Sequence, residues 1–306
     1  MIEKAHIGEE LLVCDNKGEI KKYRNGAYEK ASIIGEVEVI RTSWNGQETL
    51  FTRTIHQNDL LVNGAVFMSE KNNNMRSSFA PTPLDVDLGV HQLSDVDRTD
   101  ATVPLEMVCG LVVGVEGCTN TYNTVRPVYR HHRTVPGIVP YRTVQLDVTG
   151  DLSNQMQSKY FLRVEKMVQG QRCAVYYGKR FEKTQEIKVM FEDDTDVPTD
   201  VHILTDPKFI KVYTEHKVTI DQSDIREWFK LMEGSTVSSR VNSVGLVAGY
   251  PVKTFSADGQ VDDNGNPMED IWDYYNVRTL TTMNMENQEL KDSASTITFI
   301  YRLLIL

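Results

Sequence analysis

"EVEVIRTSWNGQETLFTRTI", residues Glu36 to Ile55, is the stretch whose reading decides the fold. Its first part, "EVEVIRT", alternates apolar and polar residues at period two, as a strand with one buried face does. Asn45-Gly46 then interrupts the pattern. This dipeptide suits a type I′ turn, because both central positions of that turn need positive φ. The polar–apolar run "QETLFTRTI" follows, so the stretch predicts a β-hairpin.

The same grammar extends outward. Upstream, "LLVC" is followed by "DNKG", and "EIKKY" by "RNG" with Asn25-Gly26; downstream, "HQND" precedes "LLVNGAVFM". Together these predict an N-terminal β meander over residues 1–68. From Ser69 to Pro104 there is no sustained period, three prolines intervene, and small polar residues dominate. At about 36 residues this exceeds ordinary loops of up to roughly 15, and it reads as an extended arm or linker over 69–104.

Strand signals return over 105–306, in "EMVCGLVVGV", "TVQLDVTG", "SKYFLRVEKMV", "RCAVYYGKR", "QEIKVMFED", "DVHILTD", "FIKVYTEHKVTI" and the C-terminal "STITFIYRLLIL". Two excursions interrupt them, an arm at 118–142 and the segment Thr254 to Asp270. Only "SDIREWFKLMEG" argues for a helix, at about 224–233. Asp224 stands as N-cap with Glu227 three residues on, Ile225, Trp228, Phe229 and Met232 share a face, and Gly234 can end it. The expected fold is mainly β: an antiparallel meander, sandwich or barrel-like body with one amphipathic helix and long extended arms.

Bulk properties narrow the function classes. The 306 residues carry a formal charge of −10, which disfavours general nucleic-acid affinity. Cys14, Cys109, Cys118 and Cys173 are scattered and form no C-x-x-C pair, so buried free thiols are expected rather than a zinc site; Cys109 and Cys118 are the alternative pairing. The start, "MIEKAHIGEELLVC", lacks a basic n-region and an apolar h-region, and no run is long enough to span a bilayer. A soluble protein without a membrane role is expected.

Motifs that resemble active sites fail on spacing. "GLVVGVEG" is G-x-x-x-G-x-x-G, neither a dinucleotide fingerprint nor a Walker loop. In "ADGQVDDNGNPMED", alignment on Gly265 puts Gln260 and Ile271 where a calcium loop needs oxygen ligands. "FEDDTDVPTD" clusters acids, but such a run beside proline reads as a solvated turn rather than a general acid and base. His6, His56, His91, His202 and His216 lie far apart and match no metalloprotease or nucleophile-elbow pattern. Neither catalytic residue nor metal site nor cofactor is expected.

One segment stands out. From Gly117 to Leu146 there is no Asp, Glu or Lys, yet Arg126, Arg130, Arg133 and Arg142 are present, with Tyr122, Tyr129 and Tyr141. Arginine's planar fork and tyrosine's amphipathic ring are the chemistry of interface anchors. Pro127, Pro136 and Pro140 push their preceding residues toward extended backbone, where His131 and His132 would face opposite sides and make a poor chelate. The expected contact set is therefore Arg126, Tyr129, Arg130, His131, His132, Arg133, Tyr141 and Arg142. It is matched with the acidic patch Glu192, Asp193, Asp194 and Asp196 on a neighbouring copy, and such head-to-tail contacts close rings.

The Asn-Gly-rich meander, the arm "SSFAPTPLDVDLGVHQLSDVDRTDATVP" and the end "TITFIYRLLIL" are similar in style to virion structural proteins of large tailed bacteriophages. The likeness spans the chain and rests on no shared motif. It implies a non-enzymatic subunit of a head, neck or tail, assembled in the host cytoplasm, with itself and other structural proteins as partners and only incidental DNA contact. Two other readings stand beside it. One is a carbohydrate-binding or glycan-hydrolysing β-sandwich using Trp272, Tyr274 and Tyr275 of "DIWDYYN" as a sugar platform. The other is an acidic channel lining that repels passing DNA.

Overall fold

The computed structural model describes residues 4–7, 10–14, 20–24, 36–44, 49–57, 59–73, 77, 82, 84–89, 105–119, 124–129, 131–182, 186–191, 196–197, 210–221, 223–237, 239–261, 265, 267, 270–290 and 295–304. The chain begins with β1 (Lys4–Ile7), β2 (Glu10–Cys14) and β3 (Ile20–Arg24), then β4 (Glu36–Trp44), β5 (Thr49–Gln57) and β6 (Asp59–Leu60). Helix α1 (Val62–Asn73) precedes β7 (Met107–Gly114), β8 (Ile138–Val139) and β9 (Arg142–Gln145). Two short helices, α2 (Leu146–Thr149) and α3 (Asn154–Gln157), lead into β10 (Tyr160–Val168) and β11 (Gln171–Arg180). Next come β12 (Glu186–Phe191), β13 (Asp196–Val197), β14 (Ile210–Ile220) and α4 (Arg226–Glu233). The chain ends with β15 (Arg240–Phe255), β16 (Ile271–Glu289) and β17 (Thr296–Leu304).

These strands form antiparallel sheets. β1, β2 and β3 make a three-stranded meander. A six-stranded sheet runs β13-β12-β14-β17-β4-β5, in which the expected hairpin pairs Trp44 with Thr49; its turn lies outside the described residues. An eight-stranded sheet runs β10-β11-β7-β15-β16-β6, with β8 added on β7 and β9 on β11. Thus β4 and β5, from the block expected at 1–68, share a sheet with β14 and β17 from the block expected at 105–306.

The two larger sheets pack face to face. Val37 and Val39 of β4, Val218 of β14 and Phe299 of β17 share one core with Leu111 of β7, Tyr176 of β11, Leu246 of β15 and Met283 of β16. This is the geometry of a β-sandwich. The opposite face of the eight-stranded sheet is covered too. Val112, Val175, Val247 and Val277 meet Leu84, Leu88 and Val135, with Trp228 and Leu231 of α4 against them. Leu84 and Leu88 belong to the segment expected as an arm at 69–104, and they fold onto this chain's own core.

The eight-stranded sheet also curls. The carboxylate of Asp273, on β16, accepts N–H groups from Leu162 at 2.7 Å and Arg163 at 3.4 Å, both on β10, and from Tyr274 at 2.7 Å. Tyr274 meets Phe161 edge-on at 5.4 Å. The first strand of the sheet thereby meets its fifth, and the body is part sandwich and part barrel.

Four helices occur among the described residues, where one was expected. The run "LLVNGAVFM", read as a strand, becomes β6 and the start of α1. Its burial explains the change: Asn63, Gly64 and Phe67 are buried at helical spacing, Gly64 and Phe67 against β16 and Asn63 bonded to the Thr82 backbone at 3.2 and 3.3 Å. A Cβ on Gly64 would lie 2.2 Å from the Leu280 carbonyl oxygen, so only glycine lets the helix sit on that strand. Arg278 of β16, fully buried, donates to Glu106 at 2.7 and 2.5 Å and to Glu70 of α1 at 2.9 Å. Its guanidinium stands 5.5 Å from the Phe67 ring centroid.

The helix expected at 224–233 is α4, and Gly234 ends it at φ 73° with its N–H bonded to the Lys230 carbonyl. Asp224 is not its cap. Ile225 holds that position at φ 53°, with no side-chain capping bond. The Asp224 carboxylate is buried instead, 2.5 Å from Lys179 Nζ and 2.8 Å from the Tyr160 hydroxyl that donates to it. Burial pushes its carboxyl above the ordinary range, and the Lys179 ammonium pulls it back. A buried cation outcompetes the helix start for this carboxylate, since leaving either charge unpaired costs several kcal/mol.

Two stability outcomes follow. Alanine is the better helix former by about 1 kcal/mol, yet Gly64→Ala should destabilise the protein by about 1–3 kcal/mol through the clash with β16. Urea denaturation decides the sign. Lys179→Met should cost about 3–5 kcal/mol by stranding Asp224, and a neutral result in the same assay would refute that role.

Candidate functional site

The acid-free window is a folded element. After β7 the chain turns back, with a bridge between Cys118 and Val125 and a bond from the Arg126 N–H to the Gly117 carbonyl at 2.8 Å. It returns as β8, which pairs Val139 with Val113 of β7. Val135, 1% exposed, plugs the inner face where Gly245 of β15 has no side chain; a Cβ there would lie 2.4 Å from its methyl group.

Polar residues of the long strands anchor the element. Asn242, fully buried on β15, donates to the Val115 carbonyl at 2.8 Å and to Asn287 Oδ1 at 2.8 Å. Its own Oδ1 accepts the Gly117 N–H at 2.6 Å. The Ser243 hydroxyl donates to the Pro136 carbonyl at 3.1 Å, and the Asn284 amide to the Arg126 carbonyl at 2.9 Å. Both ends of 117–136 are therefore fixed by the body of the protein.

Between the anchors stands an exposed knuckle. The His132 N–H bonds the Tyr129 carbonyl at 2.8 Å, closing a tight turn. Tyr129 stacks on His131 with centroids 5.5 Å apart and planes at 15°, and the two imidazoles meet edge to face at 5.1 Å. The expectation that His131 and His132 face opposite sides is corrected: the turn replaces extended backbone and brings the rings together. Among the described residues no three His, Cys, Asp or Glu side chains are grouped to hold a metal ion.

The remaining contact candidates divide by position. Arg126, Tyr129, His131 and Arg133 are exposed, Tyr129 by 52%, and neither arginine has an ion-pair partner among the described residues. Arg130 lies outside the described residues. Tyr141 is 0% exposed, its N–H bonded to the Tyr176 carbonyl and its carbonyl to the Ile225 N–H, so it belongs to the core and presents no contact surface. Arg142 is half-buried over the Tyr160 ring, 5.9 Å from its centroid. Glu192, Asp193 and Asp194 lie outside the described residues; Asp196 opens β13, at the edge of the six-stranded sheet.

The aromatic trio does not form one platform. Trp272 is 38% exposed, whereas Tyr274 is only 6% exposed, packed edge-on against Phe161 with its hydroxyl oxygen accepting from Arg180 at 3.1 Å. Tyr275 stacks on Tyr250 at 5.7 Å. Cys109, Cys118 and Cys173 are buried thiols outside any disulfide. No helix among the described residues is long and apolar enough to cross a membrane.

Comparison of the chain with models of known protein families, with curated proteins and with solved structures finds no match.

Asn242→Ala should strand the Gly117 N–H and the Val115 carbonyl, costing about 1–3 kcal/mol. It should also release the knuckle, seen as faster hydrogen exchange across 117–136 than elsewhere. Uniform exchange in the variant would show that Asn242 does not hold this element.

Proposed function

We propose that this chain is a non-enzymatic structural subunit of a large symmetric assembly, seated on an acidic neighbour through the knuckle at 126–133. The observation that carries the reading is the pre-organised display of Arg126, Tyr129, His131 and Arg133 on a chain of formal charge −10. Because each copy is acidic overall, a cationic aromatic projection on one copy is complementary to the remaining surface of another. Its anchors are already in place, so docking immobilises only a few side chains, and less binding energy is lost to ordering.

Such a contact joins two different surfaces and is heterologous, which generates rings or extended arrays. The acidic stretch Glu192, Asp193, Asp194 and Asp196 is the proposed receiving surface. The similarity in style to tailed-phage virion proteins supports placing the subunit in a head, neck or tail, assembled in the host cytoplasm beside other structural proteins. Incidental DNA contact would use the same arginines, and the reading requires no cofactor.

The test is sedimentation velocity on the purified chain, alone and mixed with the other structural proteins of its particle. Replacing both Arg126 and Arg133 with Glu should abolish assembly while changing folding stability by no more than about 0.5 kcal/mol, as expected for exposed sites. Assembly of the wild type should also weaken with added salt, since screening shortens the reach of exposed charges. Oligomers unchanged in the double variant, or a wild type that stays monomeric and partner-free, would sink the reading.

A further inference from the structure

We propose that the cleft at the seam between β10 and β16 binds a neutral saccharide. The seam exists because these two strands meet without a hydrogen-bonded ladder, joined through the Asp273 carboxylate. A cleft of about 410 Å³ opens there, between α3, the start of β10 and the facing ends of β15 and β16. That volume falls within the range of small-molecule sites, about 300–1,000 Å³.

The charges in the cleft satisfy one another. Arg163 donates to Asp151 at 2.8 Å and to Glu165 at 2.7 Å, and the Tyr176 hydroxyl donates to Asp151 at 2.7 Å. Asp273 is occupied by its three backbone N–H groups. A phosphate or carboxylate ligand would meet a cation already held by two carboxylates, so the cleft is poorly suited to anions.

What remains for a ligand is neutral. The Asn154 amide and the Trp272 indole N–H have no partner among the described residues, and both residues line the cleft. The Gln157 amide donates to the Leu152 carbonyl at 2.7 Å, which leaves its oxygen available as an acceptor. Lys253, held by Asp270 at 2.5 Å, sits over the Trp272 ring, 5.2 Å from its centroid. Planar amides beside an aromatic ring match a molecule with hydroxyls around its rim and C–H groups on its face. A pyranose ring has that chemistry.

The cleft lies apart from the knuckle, so the two proposals fail independently. The chain has three tryptophans, and the indole resonance of Trp272 is the one lost in Trp272→Phe. Nitrogen-15 NMR titrations would use maltotriose, cellotriose, lactose and tri-N-acetylchitotriose, with inorganic phosphate and adenosine as the anionic and heterocyclic comparisons. At least one saccharide should shift the Trp272 indole saturably. Asn154→Ala should weaken that binding by about tenfold or more with the rest of the spectrum retained, and the Arg126/Arg133 charge reversal should leave it unchanged. Absence of any saccharide shift, binding undiminished in Asn154→Ala, or preferential binding of phosphate or adenosine would overturn the proposal.

Discussion

The structure depends on one constraint, the burial of β15 on both faces. Ten consecutive residues, Val241 to Tyr250, are buried. A strand that half-buries needs one cover, but this one needs two. The six-stranded sheet supplies the first, and the curled edge of its own sheet, with α4, Val135 and the Leu84–Leu88 segment, supplies the second. Polar groups within the run must then find partners inside, because an unpaired buried amide costs about 1–3 kcal/mol. Asn242 and Ser243 find them on the backbone of 115–136. Satisfying the strand is what orders the arm.

Buried charge plays a comparable organising part at two other places. Arg278 with Glu106 and Glu70 fixes α1 on β16, and Lys179 with Asp224 fixes the entry to α4. Replacing such pairs with well-packed apolar residues is often neutral or stabilising, so their net contribution to stability is small. Their effect is on arrangement: each cation accepts only one seating of the helix that carries, or follows, its carboxylate. The same logic governs Asp273, whose carboxylate joins two strand edges that no ladder connects.

The sequence was legible where burial is one-sided. The hairpin at 36–55 and the strands β14 and β17 carry period-two alternation or β-branched runs, and they pair as those patterns imply. The two longest strands, β15 and β16, carry no such signal. β15 is buried on both faces and uses Asn242, Ser243, Gly245 and Gly249 where other groups pack closely against it, so its sequence shows no period-two alternation. α1 escaped notice because its inward face is Asn63, Gly64 and Phe67, which holds one large apolar side chain rather than an apolar stripe. The cleft was hidden for a different reason. Its walls come from residues 154–176 and 254–273, and only the curl of the sheet joins them.

The length of the β15–β16 pair separates the two proposed sites. Along the β15–β16 pair, Ser243 faces Asn284 at one end and Lys253 faces Trp272 at the other. Ten residues of strand separate them, roughly 33 Å at about 3.3 Å per residue. The knuckle is anchored at the first end through Asn242, Asn284 and Asn287, and the cleft opens at the second beside Trp272. Both sites hang on one pair of strands that is buried over much of its length. The pair β15–β16 thus carries the anchors of the knuckle at one end and a wall of the cleft at the other.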